Sequence, residues 1–322
     1  MAELITFGET PLRLSPPANR RLEMAREATI YADGTASNVA VAADELGTEA
    51  LWLSKLPDNP LGRRVVTQLE EQGIDTAVVW DKDASMRQGL LFRESGAPPR
   101  EPNQWHDRAN TAAASAEPGD FPVDALQESS VVFTGLSMGV LSEQAASTTE
   151  ALLRASGGGG AVTAADLDYS SGLASPERYR EVLHSVSDEL DILIASEDAV
   201  SAVLDRSGKP RELANIIAAD HGLDIMVITR SDHGALALHD TPGTNVIHER
   251  DGIEMEAVDP SGQHGAFIGA FLQQLIDGAD PARALSSAVA TAALARTLPG
   301  PFVTTVEDEI EPLVDRVVEE SS

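Results

Sequence analysis

The residues best equipped for chemistry lie in one stretch of the chain, AVDPSGQHGAFIGAFLQQL, residues 257–275. An apolar run over 253–258 reads as a strand that ends at Asp259. A polar turn over 260–264 follows, and an apolar helix is expected to begin near Gly265. The backbone N–H groups of Gly262, Gln263, His264 and Gly265 would then sit unpaired at a helix N-terminus, with the positive end of its dipole behind them. That geometry holds an anion, a phosphate above all. The plainer reading is an ordinary strand-to-helix loop.

Two further sets of residues compete for a role. Gly135-Leu-Ser137-Met-Gly139 follows the apolar run 131–134 and matches G-x-S-x-G, the turn that exposes a nucleophilic serine in α/β-hydrolases. Such chemistry needs an acid and a histidine later in the chain, and Asp166 or Asp198 with His233 or His264 are available. Against it, Val140-Leu-Ser142 reads as a loop where a helix should begin at once, and no H-G-G-G-type oxyanion stretch precedes it. Arg108 is the leading candidate for contact with an anionic or polar substrate, because its guanidinium fork pairs well with a carboxylate. Its alternative is a solvated arginine of a surface loop. The seven histidines form no H-x-x-x-H pair, which speaks against a dedicated zinc site.

The elements that must position these groups alternate along the chain. Strands are expected over 4–7, 50–53, 77–80, 89–92, 131–134, 161–165, 192–195, 225–229 and 253–258, with helix-period stretches between most of them. Several helices close on a glycine that takes the left-handed position after the last turn, at Gly47, Gly73, Gly222 and Gly278. Ser175-Pro176-Glu177 reads as a helix start. The alternation argues for an α/β fold over residues 1–322, a doubly wound, mostly parallel sheet flanked by helices. Residues 11–33 and 84–112 lack helical period and are expected to form a small β-rich lid, or else a mobile surface loop. The four glycines 157–160 read as a plain linker.

Composition narrows the class. The chain has 322 residues, 42% of them apolar, enough for a substantial core. It has no cysteine, so disulfides, thiolate catalysis and cysteine-ligated metals are excluded. Neither a membrane span nor a secretory leader is expected, which points to the cytoplasm. The net charge is −29 and the only lysines are Lys55, Lys82 and Lys209. A solvated acidic shell suits a halophilic cytoplasm, where the Debye length is about 3 Å at 1 M salt. The alternative is a surface made for a basic partner. Nucleic acid would be repelled.

A family resemblance joins these pieces. Residues 259–267 resemble the C-terminal signature of the ribokinase-like (PfkB) carbohydrate kinases, D-T-x-G-A-G-D-x-F. Asp259, Gly262 and Phe267 match it, Gln263 and His264 stand in place of Ala and Gly, and Gly265 stands where the final Asp belongs. Gly34-Thr-Ala-Ser-Asn38-Val-Ala resembles G-G-x-x-x-N-x-A at the family's sugar site, with Asp33 for the first glycine. Gly8-Glu9 and Lys55-Leu-Pro-Asp-Asn-Pro-Leu-Gly62 resemble its G-E and G-D-D-x-x-G stretches. His106-Asp-Arg108-Ala-Asn-Thr-Ala112 resembles Y-x-R-x-x-S-A of 2-keto-3-deoxygluconate kinases. Asp166-Leu-Asp168-Tyr169 resembles D-x-N-x-R, with Ser170 for the arginine. Thr229-Arg-Ser-Asp-His-Gly234 resembles the nucleotide-side L-G-x-x-G, with Ser231 for the first glycine, and Val289 falls where an adenine-side Asn is usual.

The likeness runs along essentially the whole chain and implies a ribokinase-like fold with a β-rich lid. It also implies an ATP-dependent kinase acting on a small-molecule sugar or sugar acid, with Mg2+ carried largely by the nucleotide phosphates. Gly34, Asn38, Arg108 and Asp168 would bind substrate. Thr229, Gly234, Asp259 and Gly262 would face the nucleotide, and Gly262, His264 and Gly265 would form the catalytic turn. Either His264 or a water would replace the usual Asp base, although the side chain of His264 is expected to point elsewhere on the turn. A general base is worth about 10²–10⁴-fold, whereas phosphoryl transfer rests mainly on positioning and charge, so its loss slows such an enzyme without abolishing the reaction. Lid-mediated homodimers are a family habit. The alternatives are a non-catalytic sugar- or nucleotide-binding paralogue and, further off, a serine hydrolase using Ser137.

Overall fold

Residues of the central strands are apolar on both sides, so the sheet they build must be covered twice. The computed structural model describes residues 2–18, 20–96, 99–230, 233–241 and 243–321. In it β1 (Leu4–Phe7) turns Leu4 to one face of the sheet and Ile5 and Phe7 to the other. Trp52, Phe133 and Ile194 share the face of Leu4, while Leu53, Val132 and Leu193 share the face of Ile5. Period-two alternation thus divides the core into two layers.

The large sheet has nine strands, in the order β13 (Thr244–Arg250), β12 (Ala235–Thr241), β11 (Ile225–Thr229), β10 (Ile192–Ser196), β9 (Val162–Asp166), β8 (Val131–Gly135), β1, β4 (Ala50–Pro57) and β5 (Asp75–Asp81). All pairings are parallel except those of β12, which is antiparallel to both neighbours. Helices α1 (Thr35–Glu45), α2 (Pro60–Glu70), α8 (Gln263–Ile276), α9 (Pro281–Ala295) and α10 (Glu307–Glu320) cover the face of Leu4. Helices α3 (Val123–Glu128), α4 (Glu143–Gly159), α5 (Pro176–Val186), α6 (Glu197–Leu204) and α7 (Pro210–His221) cover the other. The chain leaves β1 toward β4 and β5, then returns beside β1 as β8 and continues the opposite way. Loops diverge at that switch, and a crevice opens at the carboxyl ends of the strands.

A separate four-stranded sheet, β3 (Thr29–Ala32), β2 (Leu12–Ser15), β6 (Leu90–Glu94) and β7 (Asn103–Asp107), comes from the two segments without helical period. Arg13 of β2 is buried, pairs with Asp33 at 2.8 Å and packs over the Tyr31 ring at 4.7 Å.

Three expectations need correction. Residues 253–258 form no strand. The hairpin β12–β13, not foreseen, already forms that edge. In 253–258 only Ile253 is buried, and the amides of Val258 and Asp259 donate to the Arg296 carbonyl instead of a ladder. The glycines 157–160 are no linker: α4 runs through Gly159, and Gly160 ends it at φ 97°. A Cβ on Gly159 would come within 2.5 Å of the Gln127 Cβ, so the glycine lets α4 close against α3. Finally, α8 begins at Gln263 rather than near Gly265, because a single 3-10 turn over Pro260–Gly262 leads directly into it.

Candidate active site

The turn ahead of α8 is organised by Asp259. One carboxylate oxygen accepts from the Ser261 amide at 3.0 Å, and the other accepts from the Gly300 amide at 3.1 Å. The Ser261 hydroxyl donates to the Gly300 carbonyl at 3.1 Å. Burial pushes the Asp259 carboxyl up, but these hydrogen bonds and Arg13 nearby hold it below the usual carboxylate range. Asp259 therefore caps and tethers the turn, and it lines neither neighbouring cleft. Gly262 is likewise buried behind the turn, where an added Cβ would sit 3.0 Å from the Pro301 carbonyl oxygen.

Clefts open on both sides of this junction. The larger, about 450 Å³, has the polar groups of Ser196 and Thr229 on one side, with Gly234. Its apolar wall includes Ile253, Phe267, Val289 and Ala292. Gly234 has φ 88°, and a Cβ there would strike the Arg250 carbonyl at 2.0 Å. The smaller cleft, about 190 Å³, is lined by Gly34, Asn38, Arg93, Arg108, Ser137 and Tyr179, among others. Thr35, Gln104, Asp168, Ser170 and His264 line both. The glutamine and histidine of the turn do not plug the junction. They form part of its wall.

The side chain of His264 does not point away from the site, as expected from sequence; it turns into this junction. Its Nε2 lies 2.7 Å from an oxygen of Asp166, at the end of β9. Asp166 is fully buried and its other oxygen has no partner among the described residues, so its side-chain hydrogen bond goes to the imidazole. Burial works against the charged imidazole, but Asp166 and then Asp168 outweigh it and raise its pKa above the ordinary histidine value. Asp168 accepts from the Ser137 amide at 2.7 Å and from the Thr35 hydroxyl at 2.9 Å. Burial and the charge of Asp166 push its carboxyl up to about 6.

In the smaller cleft Gly34 precedes α1, and a Cβ there would lie 2.5 Å from the Glu9 carbonyl oxygen. Asn38 donates to Asp33 at 2.8 Å, which leaves its own buried oxygen unpartnered. Asp33, standing where the resemblance had a glycine, thus orients Asn38. Arg108 is buried and its Nε donates to the equally buried Glu9 at 2.5 Å. Burial disfavours its charge, but Glu9 overrides that and raises its pKa. The sequence reading missed Arg93. It is half-buried on β6, lines the smaller cleft and makes no ion pair among the described residues. Burial and the nearby Arg13 lower its pKa. Its place in an alternating run of the 84–112 segment was the available signal.

Ser170 closes the roof. Its hydroxyl meets the His106 ring at 2.8 Å and accepts from Gln104 at 3.1 Å, so β7 of the small sheet is latched to the loop after β9. Burial and Arg108 push His106 down to about 4, which keeps the latch neutral. The serine-hydrolase arrangement does not form. Ser137 turns its amide and hydroxyl to Asp168, and no hydrogen bond joins it to a histidine among the described residues. His233 lines neither cleft, and Ser231 lies outside the described residues. Among the described residues no cluster of three or more His, Asp or Glu side chains forms a metal cage, and no helix is long and apolar enough to cross a membrane.

The chain is similar to known proteins in sequence and fold. The model of the pfkB family carbohydrate kinases matches residues 1–306. A 2-dehydro-3-deoxygalactonokinase of Haloferax volcanii is 43% identical over 310 residues, 96% of either chain. The crystal structure of a 2-dehydro-3-deoxygluconokinase from Thermotoga maritima superposes with a TM-score of 0.87 at 26% identity, covering 98% of this chain and 100% of that one. An uncharacterized sugar kinase from Pyrococcus horikoshii, solved in complex with ATP, shares the fold at a TM-score of 0.80 and 20% identity, over 98% of this chain and 99% of that one.

Proposed function

The chain belongs to the pfkB family of carbohydrate kinases, and from that premise we propose that it transfers the γ-phosphoryl group of ATP to a hydroxyl of a 2-keto-3-deoxy sugar acid. The observation that carries this reading is the pair of clefts meeting at Asp168 and His264, beside the N-terminus of α8. The larger cleft suits ATP: an apolar wall with Ile253 and Val289 for the base, the hydroxyls of Ser196 and Thr229 at its side, and the first turn of α8 for the phosphates. Mg2+ carried by those phosphates would supply neutralisation of their charge.

The smaller cleft takes the acceptor. Arg93, without an ion pair among the described residues, and Arg108, held at one edge by Glu9, give it a cationic end for a carboxylate. Asn38 and Asp168 line it and give it polar groups for sugar hydroxyls. The Haloferax relative, named for a keto-deoxy sugar acid, supports that substrate class, and with the charge of −29 it supports a protein adapted to high salt. Gly265 stands where the family has its catalytic Asp. The space its side chain would occupy is filled by α1, since a Cβ there would lie 2.5 Å from the Asn38 Cβ.

Two measurements test the reading, both in high salt. Saturating ATP–Mg2+ should raise the melting temperature, since a ligand well above its Kd adds a few kcal/mol, or about 2.7 at a hundredfold excess. ADP release should depend on 2-dehydro-3-deoxygalactonate or 2-dehydro-3-deoxygluconate and be far slower with neutral sugars. A chain that binds no nucleotide, or phosphorylates no sugar acid, is not this kinase.

A further inference from the structure

The transfer proposed above needs a proton acceptor, and Gly265 has no side chain to provide one. We propose that His264 is the general base and that Asp166 is the positioning residue that orients its ring. This inference rests on the kinase reading and adds the residue through which the acceptor hydroxyl loses its proton.

Four observations converge on the pair. His264 lines both clefts, so it stands where the terminal phosphoryl group and the acceptor hydroxyl must meet. Its side chain is 37% exposed, while that of Asp166 is 1% exposed. The ring thus reaches open space and its anchor does not. The 2.7 Å contact ties Nε2 to Asp166, whose remaining oxygen has no partner among the described residues. Nδ1 has no hydrogen-bond partner among the described residues and is not closed off in the interior. With Asp166 ionised, Nε2–H donates to the carboxylate and Nδ1 keeps its lone pair for the incoming proton.

The step balances. The acceptor hydroxyl oxygen attacks the γ-phosphorus of ATP, and a new oxygen–phosphorus bond forms. The bond from that phosphorus to the β,γ-bridging oxygen breaks, and ADP leaves with the electron pair. The hydroxyl proton passes to Nδ1 of His264, and the resulting imidazolium is held by Asp166 until it returns the proton to solvent. No oxidant or further reactant is needed.

The charged groups facing His264 are Asp166 and Asp168, both from the end of β9 and its following loop. Arg108 faces Asp168 from beyond β7, and Arg296 lines the nucleotide-side cleft. These surroundings set the sign of the pH dependence. A base must be neutral, so phosphoryl transfer should speed up as pH rises through the imidazole titration. A histidine acting only as a cation on the phosphate would give the opposite slope.

The experiment is single-turnover phosphoryl transfer from ATP–Mg2+ to 2-dehydro-3-deoxygalactonate in high salt, followed against pH. It compares the native chain with His264→Gln, His264→Ala and Asp166→Asn. His264→Gln is expected to lose about 10²–10⁴-fold in rate, to keep its ATP-induced thermal shift, and to lose the acidic limb of the profile. Exogenous imidazole should restore part of the rate of His264→Ala. Asp166→Asn should move the acidic limb to lower pH, because the imidazolium loses its counter-charge. Unaltered transfer and an unaltered limb in His264→Gln would overturn the proposal, and so would a native rate that falls as pH rises through that limb. Native protein that fails to bind ATP would remove the kinase reading itself, and the base with it. Binding tells the two failures apart.

Discussion

Replacing Gly265 with alanine or aspartate is expected to destabilise the fold, not to repair the turn. An interior helical Gly→Ala change normally stabilises by about 0.5–1 kcal/mol. Here the added Cβ would lie 2.5 Å from the Asn38 Cβ and 3.2 Å from its carbonyl carbon. One helical turn later a Cβ on Gly269 would meet the Ala42 Cβ at 2.6 Å and the Val39 oxygen at 2.8 Å. The two glycines form a flat face on α8 against which α1 packs, so the nearest obstacle is helix, not a movable side-chain tip. Restoring ordinary contact requires α1 to shift by about 1 Å, and overpacking of that kind costs about 1–3 kcal/mol. The net expectation for Gly265→Ala is a loss of about 1–2 kcal/mol, with Gly265→Asp worse because it also brings a carboxyl group into a buried contact. Gly158 provides the control of opposite sign. It lies inside α4 and an added Cβ there meets nothing within 4 Å, so Gly158→Ala should gain up to about 1 kcal/mol. Urea denaturation followed by circular dichroism at fixed high salt measures both. If Gly265→Ala proved as stable as the native chain, or Gly265→Asp turned over faster, the packing argument would be wrong.

Further outcomes follow from the same geometry. Arg93→Gln should raise KM for a keto-deoxy sugar acid by about 10–100-fold, the 1.4–2.7 kcal/mol of a charge-assisted hydrogen bond, with kcat little changed; an unchanged KM would remove Arg93 from the substrate site. Asp168 keeps its proton up to about 6 in the folded chain, against 3.8 for the ordinary carboxyl. Folding therefore gains from this group below about pH 4, and the gain is lost as pH rises toward 6. Relative to Asp168→Asn, the unfolding free energy should fall across that window by on the order of 1–3 kcal/mol, and a flat difference in urea titrations would contradict the raised pKa. With a charge of −29, the melting temperature should climb steeply between about 0.1 M and 1 M KCl, as the Debye length shrinks from about 10 Å to 3 Å; a salt-independent midpoint would refute an acidic shell that needs screening.

Much was legible in the sequence because it is written in local rules. Apolar runs bounded by C-terminal glycines located most strands of the large sheet. The order of short motifs, from Gly34 and Asn38 to Asp259 and Phe267, carried the family and hence the fold. The departures from those motifs could be read as well, Gly265 foremost among them. What the sequence could not convey was which partner each altered residue meets. Asp259 and Gly262 look like ligand-facing members of a turn, but they hold it from behind, against Gly300 and Pro301. His264 looks like an outward-pointing residue at a helix start. It meets Asp166 only because β9 delivers that carboxylate from 98 positions earlier in the chain. Local sequence sets backbone preference through side-chain sterics and capping, which act over a few residues. The direction of a charge, the use of a glycine as a packing surface, and the opening of Arg93 toward a cleft depend on elements brought together across the whole chain, and only the tertiary structure decided them.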